Sequence, residues 1–483
     1  MRIDMGEFLP KEAVSRRITG DTQFMFQFYK PCIHFYEPGS LSSICMSQDR
    51  LRRSLIVALH SCPLLLGKLK VQPDLTISVE YSPTDCNPPT LEFQRIPATF
   101  ADFKAHGFAY SLAKKHSLDI PIPDGAITRD FDKPMLMVKV SYLGDGGIAL
   151  FSMTNHVAFD GNAMFSVIAH WAKCNRILQP HQMQASVALP RELQVYATSL
   201  ITNTENEPEM GPVEISVDAS RSPRELALSI TKSVPVEDIS ACVFSIGLDS
   251  VSVLKEQVER SGVLGAGEWV STNNVLVAFI VQCVARANTD SQVYEAGSWT
   301  VFQSLDMRKP LGLPLHGLGS PLILAECQTT LDEIARPECM PAIAKRVRRC
   351  VDKYTSEYLQ NAMDWVNYSY RQITRSGTSE PWRHFWFTAL NTNRRCVGVS
   401  CMNKIPIYDA DFGGGRPVMA RSFNPRPNYI IVFPGPPTAA TRIGSALPVH
   451  DSLHLYVTLE RKAMEALKAD RQWSSVCTLI SEF

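Results

Sequence analysis

Residues 135 to 173 constrain this chain most, because the hydrophobic period changes there from two to that of a helix across a single turn. Val138, Val140 and Tyr142 alternate, Gly144-Asp145-Gly146-Gly147 interrupts, and Ile148 to Met153 resumes, which predicts a β-hairpin. From Gly161 to Lys173, Met164, Phe165, Ile168 and Trp171 fall at helical spacing. Between strand and helix lies Asn155-His156-Val157-Ala158-Phe159-Asp160-Gly161. The fold must therefore turn a strand into a helix while carrying a histidine, an aspartate and a glycine.

A side chain at a strand exit is held by the scaffold and open to a ligand. Imidazole, with a reference pKa of about 6.5, stays neutral after a modest shift and can take a proton from a hydroxyl. His156 is thus a candidate general base. Asp160, carried round the turn, suits an ion pair that locks it, and Gly161 lets backbone or ligand approach without a Cβ. The pattern His-x-x-x-Asp-Gly is short, so its weight depends on what accompanies it.

What accompanies it runs through most of the chain. SQDRLRRSLIVALHSCPLLLGKLK, with Leu51, Leu55, Ile56 and Leu59 on one helical face, is followed by FSIGLDSVSVLKEQV, VSTNNVLVAFIVQCVARA, SLDMRKPLGLPL, IYDADFGGGRPVMAR and SLHLYVTLERKAMEALKAD. In this order the segments resemble the BAHD superfamily of acyl-CoA-dependent acyltransferases, and the general look is similar to its fungal branch of trichothecene O-acetyltransferases. The second family signature reads Asp411-Phe412-Gly413-Gly414-Gly415, with Gly414 where the family has tryptophan. That exchange removes a large aromatic contact, and the resemblance implies a structural role for Asp411, Gly413 and Gly415, remote from the reacting atoms.

The resemblance implies an α/β fold of two similar domains, each a mixed sheet flanked by helices as in chloramphenicol acetyltransferase, with an active-site channel between them faced by His156. It implies that Arg308 braces Asp160 through a charge-assisted fork, with Asp411 as a second possible partner of the arginine. Asn391 and Thr392 would lie where relatives contact the carrier's pantetheine or the substrates. Ser271 and Thr272 read as the cap of the helix that follows, with a contact from Thr272 to CoA as the alternative. Arg394 and Arg395 read as solvated, with a phosphate contact as the alternative.

Hydrophobic periodicity is clear from about Leu51 to Leu178 and again from Val243, whereas Pro208 to Pro235 is polar and rich in proline and serine. The expected division is a first domain over 1–207, a crossover over 208–235 and a second domain over 236–483. Leu453, Leu455, Val457 and Leu459 alternate with polar residues, which predicts a half-buried strand.

The 483 residues, 45% apolar and 20% charged, can bury a sizeable core. Basic and acidic residues are equal at 48 each, which argues against a general nucleic-acid binder. The start of the chain lacks a signal-peptide core, and the longest apolar run, Val275 to Ala285, is too short to span a bilayer. A cytoplasmic monomer without membrane attachment is the expectation. The 13 cysteines show no Cys-x-x-Cys, and neither cysteines nor histidines are spaced to hold a metal.

The expected activity is transfer of an acyl group, most simply acetyl, from acyl-CoA to a hydroxyl of a small secondary metabolite, less often to an amine. His156 is the base, no acyl-enzyme forms, acyl-CoA is a co-substrate and no cofactor stays bound. No Gly-x-Ser-x-Gly elbow is present to argue otherwise. One alternative is a condensation-type domain fed by a carrier protein, against which stands Asn155 where such domains carry a second histidine. The other is a metabolite- or partner-binding relative without catalysis, against which stand His156, Asp160 and Gly161 together.

Overall fold

The glycine-rich break at residues 144–147 is where the chain reverses. The computed structural model describes residues 2–6, 9–18, 29–39, 44–73, 77–120, 133–178, 215–217, 238–290, 298–314, 319–377, 385–387, 396–422, 427–442 and 447–482. Leu136–Tyr142 and Ile148–Asn155 pair antiparallel, Leu136 opposite Thr154 and Tyr142 opposite Ile148. Gly146 adopts φ +88°, which a side chain disfavours. Asp145 fastens the turn to the next layer by accepting from the backbone N–H groups of Phe100, Ala101 and Gly147.

This hairpin lies within a five-stranded sheet ordered Met419–Ser422, Tyr29–Tyr36, Ile148–Asn155, Leu136–Tyr142, Thr90–Arg95. Its two faces sort the side chains by the period of the strand. Val138, Val140 and Leu150 join Leu51, Leu55 and Leu59 of the helix Gln48–Ser61 and Ile168 and Trp171 of the helix Gly161–Ile177. Met137, Ala149 and Phe151 join Phe35, Phe103 and Phe108 on the other side.

A second sheet runs Leu322–Thr330, Ser298–Asp306, Cys396–Cys401, Tyr429–Pro434, Ser452–Glu460, Ile239–Gly247, Cys477–Glu482. The helix Thr272–Asp290 lies against it and is buried without interruption from Val275 to Ala285, which explains the long apolar run as a core helix. No helix among the described residues is long and apolar enough to cross a membrane. Of the expected crossover, only Ile215–Val217 is within the described residues, where it pairs with Phe385–Phe387.

Two features depart from the local pattern. Met419–Ser422 comes from the region expected to form the second domain, yet it is an edge strand of the first sheet, with Ala420 opposite His34. Ser452–Glu460 is buried on both faces, correcting the half-buried reading. Its polar face is covered because the two halves meet on it: Tyr456 packs with Cys32, Phe165, Tyr408 and Ala420 in a cluster drawn from both sheets. Arg421, 0% exposed, threads this junction. Its guanidinium donates to the Gly107 carbonyl at 2.8 Å, to His454 Nδ1 at 3.3 Å and to Tyr456 OH at 3.4 Å.

The packing also buries His34, His170 and His454. Burial first, then the Arg421 charge for His454 and the Lys173 charge for His170, pushes their pKa values down to about 4, about 4 and about 3 respectively. An unfolded imidazole takes a proton near about pH 6.5. Between that value and about 4 the unfolded chain therefore binds more protons than the folded one, so stability is complete above 6.5 and is lost as pH falls. The melting temperature should drop steadily from pH 7 to 4.5 at constant ionic strength; a flat profile would show that these imidazoles titrate normally.

Candidate active site

Asn155 shapes the turn that carries His156. Its side-chain Oδ1 accepts from Val157 N at 3.0 Å, and its carbonyl accepts from Ala158 N and Phe159 N at 3.3 and 3.0 Å. The strand ends there because its last carbonyl now serves the turn. Asp160 then caps the helix Gly161–Ile177, with extended backbone and Oδ1 accepting from Ala163 N at 2.9 Å.

The other carboxylate oxygen reaches into the second half. Arg308 Nη1 donates to Asp160 Oδ2 at 2.6 Å, and the arginine is 0% exposed. The same nitrogen lies 3.0 Å from Asp306 Oδ2, and Asp306 Oδ1 accepts from Arg308 N at 2.9 Å. The Gly319 carbonyl receives Asp160 N at 2.9 Å and Arg308 Nη2 at 3.4 Å. The turn of the first half is thus seated in a socket of the second. The structure brings Asp160 and Arg308 together and places Asp411 elsewhere.

His156 is 6% exposed. Burial, then the Lys30 ammonium, pushes its pKa down to about 4 against an opposing pull from Asp160. The neutral imidazole is therefore the resting form over the whole physiological range, further below neutrality than its position in the sequence suggests. Lys30, on Tyr29–Tyr36 and opposite Thr154, is itself lowered to about 8 by burial, with Asp160 and Cys32 opposing. Its Nζ donates to Met402 Sδ at 3.3 Å. A Cβ on Gly161 would stand 2.8 Å from that sulfur and 3.7 Å from Nζ, so the glycine is a close-approach position between the halves.

The second signature holds the opposite end of the same helix. Asp411 Oδ1 accepts from Gly413 N and Gly415 N at 2.8 and 3.0 Å, and both glycines take positive φ. Asn175 Nδ2 donates to the Phe412 carbonyl at 2.7 Å, and Arg176 donates to that of Asp411. At 1.5 Å per residue, Asn175 is about 20 Å from Gly161.

Ser271 and Asn274 form a reciprocal cap, Ser271 Oγ accepting from Asn274 N at 3.1 Å and Asn274 Oδ1 from Ser271 N at 2.8 Å. Thr272 is exposed at the helix start. Asn391, Thr392, Arg394 and Arg395 lie outside the described residues. Sequence reasoning passed over Lys30, Asp306, Gly319 and Met402. Lys30 had a signal: it is the lone lysine, with no acid or arginine, in the otherwise largely buried strand YKPCIHFY.

Comparison with known proteins now fixes the class. The Transferase family model matches residues 19–473, and the chain belongs to this family, the BAHD acyltransferases. It is an acyl-CoA-dependent acyltransferase. TRI101 of F. sporotrichioides complexed with coenzyme A and T-2 aligns with a TM-score of 0.74 at 18% identity, over 98% of this chain and 100% of that one. Vinorine synthase aligns at 0.61 and 16%, over 95% and 93%. Hydroxycinnamoyl-CoA:piscidic acid hydroxycinnamoyltransferase of Actaea racemosa is 21% identical over 402 residues, 81% of this chain and 82% of the relative.

The socket yields a direct test. Asp160→Ala takes one carboxylate from a fully buried guanidinium and removes a helix cap, for a cost of roughly 3–5 kcal/mol. Urea unfolding of Asp160→Ala, Arg308→Met and the double variant should show the double costing less than the sum of the singles. Strict additivity would mean that the pair carries no coupling.

Proposed function

We propose that this acyltransferase moves an acetyl group from acetyl-CoA to a hydroxyl of a small secondary metabolite, with His156 as general base. The observation that carries the reading is a neutral imidazole held by the Asn155 turn at a strand exit, beside a helix start anchored by Asp160 and Arg308. The acceptor O–H gives its proton to His156, and its oxygen attacks the thioester carbonyl carbon. The C–S bond then breaks, and the CoA thiolate leaves with the proton returned by the imidazolium. No residue needs to carry the acyl group.

The choice of donor and acceptor class leans on the structural neighbours, which include TRI101 of F. graminearum complexed with ethyl coenzyme A and with deoxynivalenol. Gly161 serves as the close-approach position, and Asp160 and Arg308 hold the turn. Asp411, Gly413 and Gly415 hold the distal end of the helix, while Thr272, Asn391 and Thr392 belong to the substrate surface. The division at 208–235 and a monomeric, cytoplasmic protein complete the reading.

The test is CoA release from acetyl-CoA with a panel of primary and secondary alcohols, with mass detection of the ester. His156→Ala should lose at least about 100-fold in kcat while keeping the wild-type melting temperature at pH 7.5. With the imidazole lowered to about 4, the wild-type kcat/KM should hold on the acid side well past pH 6.5. Full turnover by His156→Ala would overturn the assignment, and an acid limb at the ordinary imidazole value would show that the ring is not lowered by burial.

A further inference from the structure

We propose that Lys30 is a second catalytic residue of this site: its ammonium donates a hydrogen bond to the thioester carbonyl oxygen as that oxygen becomes an oxyanion. The inference rests on the reading of His156 as base. It starts from a half-buried ammonium whose observed acceptor is weak. Among the described residues no carboxylate oxygen comes within 4.0 Å of Lys30 Nζ, and the acceptor it has is a thioether, Met402 Sδ at 3.3 Å. An ammonium carries three donors and a thioether is a weak acceptor. Asp160, the acid whose charge it feels most, is committed to Ala163 N and to Arg308.

Desolvation disfavours the ammonium, and the Asp160 charge offsets only part of that cost. Nζ lies 3.7 Å from the position of a Cβ on Gly161, the first residue of a 17-residue helix. The start of a helix carries partial positive charge from its free N–H groups. The titratable groups facing Lys30 are Cys32 on its own strand, whose thiol burial keeps neutral, and Asp160 and His156 on the turn. Among the described residues, the helix start and Met402 opposite add none.

The transfer itself supplies the missing negative charge. When the acceptor oxygen bonds to the thioester carbon, the carbonyl π pair moves onto oxygen and the acceptor proton moves to His156. Without an oxyanion the resulting imidazolium would meet the ammonium, and that repulsion is part of what holds the imidazole neutral. An oxyanion beside both cations replaces the repulsion with two attractions. Collapse returns the pair to the carbonyl, expels the CoA thiolate and passes it the proton from His156. Lys30 keeps its proton throughout, so its contribution is present in the charge-separated state and small in the ground state.

The experiment uses the full chain with acetyl-CoA and whichever panel alcohol the wild type acetylates fastest, comparing wild type, Lys30→Met, Lys30→Arg and His156→Ala. Lys30→Met should lose about 100- to 1000-fold in kcat with KM for both substrates unchanged, and it should melt no lower than wild type, because it replaces a half-buried ammonium that has no carboxylate within 4.0 Å among the described residues. Wild type should lose kcat above about pH 8, where Lys30 deprotonates, and Lys30→Arg should retain a measurable rate there. Near-wild-type kcat in Lys30→Met, a rise in KM alone, or a fall in melting temperature matching the lost activity would each overturn the proposal. If His156→Ala also keeps full rate, or no alcohol is acetylated, the base reading falls and takes this inference with it; if His156→Ala is dead while Lys30→Met is active, this inference alone fails.

Discussion

The contact between Asp160 and Arg308 is the interaction on which the site depends, because one carboxylate does two jobs with its two oxygens. Oδ1 caps the helix Gly161–Ile177, and Oδ2 meets a guanidinium that belongs to the other half of the molecule. A buried ion pair adds little net stability over a hydrophobic contact of the same shape, whereas losing one partner is costly. What it supplies is geometry. The helix start cannot shift without breaking the pair, and with Gly319 accepting from both residues the position of the turn is set by three hydrogen bonds in one socket.

The helix that begins at this socket is held equally firmly at its other end. Phe412 is 0% exposed and packs edge-on against Trp171 with ring centroids 4.9 Å apart, while the Asp411 carboxylate gathers the two glycine N–H groups. The aromatic anchor of this loop is therefore Phe412. That gives a physical account of how the chain keeps the loop in place with Gly414 where its family carries tryptophan. The two family motifs act on one rigid rod, the first through its N-terminus beside His156 and the second through its C-terminus.

Local pattern made much of this legible. The hairpin, the turn and the helix follow from a change of period, and the pairing of Asp160 with Arg308 followed from the family resemblance of SLDMR. What stayed hidden depends on placement across the chain. No periodicity says that Met419–Ser422 crosses into the first sheet, or that His454 and Tyr456, alternating correctly with leucines, face another layer of protein instead of water. Lys30 was visible as a residue and invisible as a site residue. Its neighbour Thr154 comes from a strand more than a hundred positions away, and Met402 from further still.

Grouping so many ionisable side chains, with Arg308 and Asp160 buried and Lys30 half-buried, is tolerable because opposite charges lie side by side. Arg308 meets both Asp160 and the half-exposed Asp306, and Lys30 lies within the field of Asp160. His156 adds nothing while it is neutral. In the mechanism proposed for His156, acyl transfer creates one positive charge on the imidazole and one negative charge on the carbonyl oxygen, so the sum does not change as the reaction proceeds. Two opposite charges formed side by side attract each other, and that attraction offsets part of the desolvation cost of each. A further electrostatic cost is one of arrangement, and the backbone turn, the helix start and the ion pair fix that arrangement before any substrate arrives.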